Sequence, residues 1–327
     1  MKPPIKGQKK ILVIKLSAVG DFVLAFPAFE RIRAAHADAH ITLLTTDPFE
    51  SLAKSSPFFD RVEIDGRPTN PASWLGLIAR LRGEKYERVY DLQNSGRTNL
   101  IFQALRPFPP QWSGVAAGAS HRHRNPDRMK MHALERQAQQ LEAAGIWPDA
   151  PTKPLSAAPP DISWILARSP AARPMTSTNP RPVVLLIPGS SAHRPEKRWP
   201  IEHYARLAER LSAEGFDIVI IGSLQESTLA HAIQRRATRA RDLTGRTDFA
   251  QIATLGARAA LAVGNDTGPV HLVAAAGAPT IVLFSSASDP AISGPRGHVT
   301  VFQAPDLKTV AVETIAQTAI SLAGRNP

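Results

Sequence analysis

The chain of 327 residues is long enough for two domains of about 150 residues each. It contains no cysteine, which excludes disulfides, thiolate metal sites and cysteine nucleophiles. Its formal net charge of +11 suits nucleic acid, an anionic membrane or a phosphate-rich ligand. Aromatic residues make up only 6% of the chain and do not alternate with the basic ones, which disfavours nucleic acid.

The first half of the chain alternates strand and helix signals. Residues 11–16 (ILVIKL) form a short apolar run, which predicts a parallel strand buried on both faces. Asp21 follows a turn and can cap a helix over residues 22–35, in which Pro27 is expected to cause a kink. Further strands are predicted at 41–45, 61–64 and 88–92, and further helices at 74–81 and 132–144.

A proline-rich stretch over residues 147–182 interrupts this pattern and predicts a linker. A second alternation follows, with strands predicted at 183–187, 217–221, 260–263 and 280–284, and helices at 201–213, 226–237, 269–276 and 310–322. Two such arrays predict an α/β protein of two doubly wound, Rossmann-like domains facing a cleft. Ligands are then expected at the carboxyl ends of the strands.

The sequence also indicates where the protein works. It has no run of about 18 apolar residues, so we expect no transmembrane helix. The basic first ten residues are followed by an apolar run that is too short for a secretory signal. We therefore expect a cytoplasmic protein.

Residues 15–21 (KLSAVGD) form the first motif, at a predicted strand-to-helix turn. Its one glycine, Gly20, does not make the three-glycine fingerprint of nicotinamide dinucleotide sites, which disfavours that class of cofactor. Asp21 can be a general base or a plain helix cap, and the local sequence alone favours the cap.

The second motif comprises residues 188–191 (PGSS) and 197–200 (KRWP), after a predicted strand. Backbone amides of a small-residue loop can bind phosphate oxygens. Lys197 and Arg198 can neutralise the charge that develops on a departing diphosphate. An ordinary loop with solvated basic residues is the alternative interpretation.

The third motif, residues 264–271 (GNDTGPVH), follows a predicted strand and opens a helix. Asp266 or Thr267 can cap this helix, and its first amides can bind an anion. Gly268 allows a diphosphate to approach the backbone closely. His271 can contact the ligand or pack in the core.

Two further segments are candidates for acceptor binding. Arg122 and Arg124, in residues 120–124 (SHRHR), can contact phosphate or carboxylate groups, although a solvated basic loop is the commoner case. Gln93 and Asn94 follow another predicted strand and can hydrogen-bond sugar hydroxyls or simply form a polar turn.

Together these motifs resemble the ADP-heptose:lipopolysaccharide heptosyltransferases, glycosyltransferase family 9, over nearly the whole chain. The resemblance is carried by residues 15–21, 91–93, 188–190, 197–200 and 265–271. It implies a GT-B fold, which divides into an acceptor domain, a linker, a donor domain and a C-terminal helix that crosses back to the first domain. These parts correspond to residues 1–160, 161–182, 183–309 and 310–327.

The resemblance also assigns roles to residues. Asp21 inherits the role of catalytic base, and Lys197 that of the lysine that contacts donor phosphate. The remaining donor-binding residues are Gly189, Ser190, Ser191, Glu226 (for the ribose), Asp266, Thr267, Gly268, Pro269 and His271. The acceptor is expected at Ser17, Gly20, Gln93, Asn94, Arg122 and Arg124.

The chain departs from the family pattern at two places. Residues 285–287 (SSA) replace the usual Gly-Pro-Thr, and Ala192 and His193 replace the threonines ahead of the lysine. These departures leave the exact sugar and the core position that it extends open.

The predicted function is transfer of heptose from ADP-heptose to the lipopolysaccharide inner core with inversion. The acceptor is lipid A–Kdo or a lipopolysaccharide core, and the enzyme would work peripherally on the anionic cytoplasmic face of the inner membrane. Neither a metal nor another cofactor is expected, because basic groups can stabilise the leaving ADP. The alternatives are a nucleotide-sugar epimerase of the same architecture and a non-catalytic nucleotide- or glycolipid-binding homologue.

Overall fold

A computed structural model describes residues 5, 7–148, 158–168, 181–191 and 193–324. The chain divides into two compact units, Met1–Ser156 and Ala157–Pro327. The division falls close to the boundary expected at residue 160. Within the described ranges, no helix has both the length and the apolar character needed to cross a membrane.

A six-stranded sheet forms the centre of the first unit. Its strands are β1 Lys10–Ile14, β2 His40–Thr45, β3 Arg61–Ile64, β4 Arg88–Asp91, β5 Gln111–Gly114 and β6 His121–Arg122. All neighbours are parallel, in the order β3-β2-β1-β4-β5-β6. β1 and β2 are buried almost throughout, because a parallel sheet carries helices on both faces.

The helices of the first unit are α1 Val19–Val23, α2 Phe26–Ala35, α3 Glu50–Ser55, α4 Pro71–Glu84, α5 Gly96–Ala104 and α6 Ala133–Ala143. The single kinked helix predicted over residues 22–35 is therefore wrong. Pro27 lies in the first turn of α2, where its missing N–H has no intrahelical partner to lose. Asp21 is the third residue of α1 rather than its N-cap, and it accepts a hydrogen bond from Ala18 N at 3.3 Å.

The second unit repeats the parallel arrangement. Its strands are β7 Val183–Ile187, β8 Asp217–Ile220, β9 Arg241–Asp242, β10 Leu261–Asn265, β11 Thr280–Phe284 and β12 Val299–Gln303. Their order is β12-β11-β10-β7-β8-β9. The helices are α7 Ser163–Arg168, α8 Ile201–Ala213, α9 Ser227–Gln234, α10 Phe249–Arg258, α11 Gly268–Ala275, α12 Pro290–Ser293 and α13 Val312–Ala323.

Two of these helices bear on the predicted domain organisation. α7 lies inside the predicted linker and packs against α10 of the second unit, whereas residues 169–180 of that linker lie outside the described residues. α13 packs against α8 and β10 and adds Ile315, Ala316 and Ala319 to the core of its own unit. Its crossing back to the first domain stays a prediction.

In each sheet there is one point at which the order of the strands reverses. β1 lies between β2 and β4, and β7 lies between β8 and β10. Ligands of open α/β sheets bind outside the carboxyl ends of the strands at such a point. The motif at residues 15–21 follows β1, and those at residues 188–191 and 264–271 follow β7 and β10. The fold thus brings the predicted site segments to the switch point of each sheet.

Candidate active site

Asn265, the last residue of β10, organises the switch point of the second sheet. Its fully buried side chain accepts hydrogen bonds from Trp199 N (3.0 Å) and Tyr204 Oη (3.1 Å). The amide nitrogen donates to the carbonyl oxygens of Pro188 (2.7 Å) and Gly189 (3.3 Å). All four hydrogen-bonding positions of the amide are used, which fixes the loop after β7 relative to β10.

Lys197 and Asp266 form an ion pair beside this hub. Lys197 Nζ lies 2.5 Å from Asp266 Oδ2, and the side chains are 18% and 9% exposed. Thr267 is the N-cap residue of α11, but its side chain makes no capping hydrogen bond. The partly positive start of α11 therefore lies next to a lysine and lacks its usual side-chain cap, an arrangement that suits a phosphate group.

The carboxylate of Glu226 fills the space next to Gly189 and Gly222. A Cβ at Gly189 would lie 1.6 Å from Glu226 Oε1, and a Cβ at Gly222 2.6 Å from Oε2. Glu226 Oε2 accepts hydrogen bonds from Ser223 N (2.6 Å) and Ser223 Oγ (3.0 Å). The residue predicted to hold a ribose thus lies at the carboxyl ends of β7 and β8.

Arg198 stabilises the loop after β7. Its Nε donates to Ser190 Oγ (3.1 Å), and its Nη2 donates to the carbonyl oxygens of Ser190 (3.2 Å) and Ser191 (3.5 Å). Ser190 Oγ in turn donates to Arg194 O at 3.3 Å. The guanidinium expected to neutralise a diphosphate is thus engaged in positioning the loop, and the cation beside α11 is Lys197.

The divergent segment at residues 285–287 reaches the same region. Arg194 Nη1, from the loop after β7, donates to Ala287 O at 3.2 Å. Ser285 is buried and its Oγ accepts a hydrogen bond from Ala287 N at 3.2 Å. His271, one turn into α11, is only 6% exposed, so packing accounts for most of its surface. Its contact with a donor stays a prediction.

In the first unit, Gln93 connects the loops after β1 and β4. Its Oε1 accepts hydrogen bonds from Leu16 N (2.9 Å) and Ser17 N (3.1 Å). Asp91 Oδ1 accepts from Gln93 N (3.1 Å) and Asn94 N (2.8 Å). The loop that carries Asp21 is therefore fixed by a side chain from the neighbouring strand.

Asn94 is engaged in the same network. It adopts a left-handed conformation with φ of 50°, which Asn tolerates better than most residues. Its Oδ1 accepts from Val115 N (3.0 Å), and its Nδ2 donates to Gln140 Oε1 (2.7 Å). Gln140 Nε2 donates onward to Asp91 O at 2.9 Å. Asn94 is thus a positioning residue in this structure, and its contact with acceptor stays a prediction.

Two cations interact with the charge of Asp21. Burial lowers the pKa of Lys15, and Asp21 raises it in opposition; Lys15 Nζ lies 3.4 Å from Leu92 O. Burial likewise lowers the pKa of Arg136 on α6, whereas the charge of Asp21 raises it. The carboxylate that the resemblance assigns as the base therefore lies within electrostatic reach of two basic side chains.

The other predicted acceptor residues are distributed along this edge. Gly20 is buried in α1, and Ser17 Oγ accepts a hydrogen bond from Arg67 Nη2 at 3.2 Å. Arg122 and Arg124 are exposed at the end of β6, the edge strand, so the loop predicted there is in part a strand. The structure brings Ser17 and Gln93 together, with Gly20 in the helix that follows Ser17. The two arginines lie at the end of β6, two strands from β4 and three from β1.

Asp91 is expected to make the stability of the fold depend on pH. Burial raises its pKa from 3.8 to about 6, although hydrogen bonds from its neighbours lower the pKa in part. The folded protein therefore binds this proton more tightly than the unfolded chain, and the associated stability is lost between about pH 4 and about pH 6. Relative to the wild type, Asp91→Asn should gain about 3 kcal/mol of unfolding free energy from about pH 4 to about pH 7.

Urea unfolding of both proteins across this pH range measures the difference. Asp60→Asn is the control of opposite sign. Burial raises the pKa of Asp60, but hydrogen bonds from Ile41 N and Arg33 lower it overall. That variant should lose stability relative to the wild type as the pH rises towards about 4, so for this control the unfolding series extends below pH 4. A pH-independent difference between Asp91→Asn and the wild type would contradict the prediction.

Comparison with known proteins identifies the family. The model of glycosyltransferase family 9 (heptosyltransferase) matches residues 74–310, well over half of the chain. The chain belongs to this family. Lipopolysaccharide heptosyltransferase 2 of Escherichia coli (strain K12) is 28% identical over 313 residues, which cover 88% of this chain and 86% of that protein.

Two solved structures have the same fold as this glycosyltransferase. E. coli ADP-heptose lps heptosyltransferase II matches with a TM-score of 0.78 and 23% identity, over 97% of this chain and 99% of that chain. E. coli heptosyltransferase WaaC with ADP matches with a TM-score of 0.73 and 20% identity, over 96% and 99%. The predicted GT-B fold is confirmed.

Several residues that hold the enzyme's site together were absent from the predicted site. They are Lys15, Arg136, Gln140 and Asn265. Only Asn265 has a recognisable signal in the sequence, since an amide closing an otherwise apolar strand has to be satisfied when buried. Among the residues that the structure describes, no three His, Asp or Glu side chains are arranged to hold a metal ion.

Proposed function

We propose that this glycosyltransferase moves heptose from ADP-heptose to the lipopolysaccharide inner core with inversion at the anomeric carbon. The observation that carries the proposal is the ion pair of Lys197 and Asp266 at the uncapped start of α11. The printed names of the relatives, lipopolysaccharide heptosyltransferase 2 and a heptosyltransferase with ADP, support the sugar and the nucleotide.

The donor binds at the switch point of the second sheet. Lys197 and the amides at the start of α11 stabilise the negative charge that grows on the diphosphate as the bond to the sugar breaks. Glu226 accepts hydrogen bonds from ribose hydroxyls in place of those from Ser223. Asn265 and Arg198 keep the loop after β7 in position for these contacts.

The acceptor binds at the switch point of the first sheet. Asp21 takes the proton from the attacking hydroxyl, the oxygen of that hydroxyl bonds to the anomeric carbon, and ADP leaves from the opposite face. The single displacement inverts the configuration at that carbon. Lys15 and Arg136 interact with the negative charge of Asp21 in this position.

The acceptor of this proposal, lipid A–Kdo or a lipopolysaccharide core, is anchored in a membrane, so the enzyme works peripherally on the cytoplasmic face of the inner membrane. The basic N-terminal segment contributes little charge where it is described. Lys9 pairs with Glu87 at 3.0 Å and Lys10 with Glu84 at 2.9 Å. Lys2 and Lys6 lie outside the described residues.

The test is incubation of the purified protein with ADP-heptose and lipid A–Kdo, followed by mass spectrometry of the lipid. We expect a mass gain of one heptose, and none when a UDP-sugar replaces the donor. ADP-hexoses tested in parallel show whether the enzyme, with its divergent segment at residues 285–287, accepts a different donor sugar. Incubation with donor alone is the control: a rearranged sugar without acceptor would indicate an epimerase and contradict the proposal, as would binding without transfer.

A further inference from the structure

Two stretches of the first unit are free of acidic residues. Residues 66–83 and 92–126 contain seven arginines and no Asp or Glu, although the chain has 28 acidic residues in total. The stretches include most of α4 and the whole of α5. Such a one-sided distribution of charge attracts an anionic partner.

α4 and α5 pack side by side on one face of the sheet. They bury apolar side chains in the same cluster, among them Leu77, Leu81, Ile101 and Phe102. Arg97 of α5 lies over the Trp74 ring of α4 at 5.2 Å. Further along, Arg82 Nη2 donates to Arg106 O at 2.9 Å. The solvent side of this pair of helices is therefore one continuous surface.

Large apolar side chains protrude from that surface. Leu75 is 65% exposed on α4 and Leu100 is 62% exposed on α5. Leu75 lies two turns from Arg82, and Leu100 lies one turn from Arg97, so both leucines border the groove between the helices. Phe108 is 91% exposed in the turn after α5.

The turn that carries Phe108 is rigid and basic. Residues 106–110 (RPFPP) contain three prolines, which fix the backbone and lower the entropic cost of presenting the ring. Phe108 lines a surface hollow together with three cations, Arg82, Lys85 and Arg106, and with no acidic residue. Apolar side chains among unneutralised cations match the chemistry of a membrane interface.

We propose that Leu75, Leu100 and Phe108, with Arg82, Lys85 and Arg106, form a surface that docks on an anionic lipid bilayer. The three apolar side chains insert among the acyl chains, and the three basic side chains contact lipid phosphates while their aliphatic stems remain apolar. This docking surface rests on the proposed function, because a lipid-anchored acceptor requires an enzyme at the membrane. The α4–α5 axes lie along the bilayer, which leaves the edge with Asp21 open to an acceptor from the side.

The test is co-sedimentation of the full chain with vesicles. Vesicles of phosphatidylglycerol and phosphatidylcholine should bind the wild type, vesicles of phosphatidylcholine alone should not, and added salt should weaken binding. Arg82→Gln/Lys85→Gln should weaken partitioning about fivefold for each cation removed. Leu75→Ser/Leu100→Ser/Phe108→Ser should remove most of the binding that persists in high salt.

The matched controls lie on the second unit. Arg235→Gln/Arg239→Gln removes two exposed positive charges, and Val301→Ser removes an exposed apolar side chain. Both controls should bind as the wild type does. If the control and test charge variants lost vesicle binding equally, the proposal would be overturned, because net charge alone would explain the binding. If the wild type did not bind anionic vesicles, the proposal would also be overturned, and an acidic protein partner would be favoured.

Transfer to a water-soluble acceptor sugar separates this proposal from the proposed function. The five substituted side chains lie outside the two switch points, so the docking variants should keep wild-type transfer to a soluble acceptor. Normal transfer without specific vesicle binding would overturn only the docking surface. Specific vesicle binding without any transfer would overturn only the enzymatic proposal. Circular dichroism and thermal unfolding confirm that each variant is folded.

Discussion

Asp21→Asn is expected to lower the rate of sugar transfer by about 10²- to 10⁴-fold. The amide removes the proton acceptor but keeps an oxygen that can accept the hydrogen bond from Ala18 N, so α1 should persist. The loss should appear in kcat, because the donor binds on the second unit. Transfer assays give the rate, and calorimetry with ADP gives the donor affinity.

Asp47→Asn is the matched control for this variant. Asp47 follows β2 at the same edge of the sheet and is exposed. It should transfer sugar as the wild type does, which separates loss of the base from loss of any local negative charge. Near-normal turnover by Asp21→Asn, with a preserved fold, would eliminate Asp21 as the base.

Lys197→Met should have the second largest effect, a decrease in kcat of about 10²- to 10³-fold. The change removes the cation beside the diphosphate and leaves Asp266 as a nearly buried, unpaired charge in the same place. ADP affinity should fall as well, since the nucleotide carries the diphosphate to this position. Steady-state kinetics and calorimetry measure the two effects separately.

A double variant distinguishes two roles of Lys197. If the lysine only neutralises Asp266, then Lys197→Met/Asp266→Asn should recover the wild-type rate. If it stabilises the leaving group, as we propose, the double variant should remain slow. Lys308→Met, at an exposed lysine of the same unit, controls for the change in net charge and should transfer normally.

The alternation of apolar runs with helical segments was sufficient to predict the two parallel sheets. β1, β2, β7 and β11 are buried on both faces and therefore appear in the sequence as short, almost uninterrupted apolar runs. β5, β6, β9 and β12 were missed, because strands that are short or partly exposed lack that signal. Pro27 was predicted within one helix, although it starts a second one.

The positions of the site segments also followed from the sequence. Parallel strands carry their ligands at their carboxyl ends, so motifs that directly follow predicted strands had to lie at that edge. Asp21, Gln93, Lys197 and Asp266 are all found there. The residue types alone could indicate a base, a phosphate-binding cation and a helix start.

Only the tertiary structure decided which of these side chains are available to a ligand. Arg198 appeared equivalent to Lys197, and Gln93 and Asn94 both appeared able to bind a sugar. In the structure, polar atoms of Arg198, Gln93 and Asn94 hold loops together. The Asn94 contacts join segments that are 21 and 46 residues apart in the chain, which no local pattern encodes. The two stretches without Asp or Glu could be identified in the sequence as well, but only the packing of α4 against α5 made them one surface.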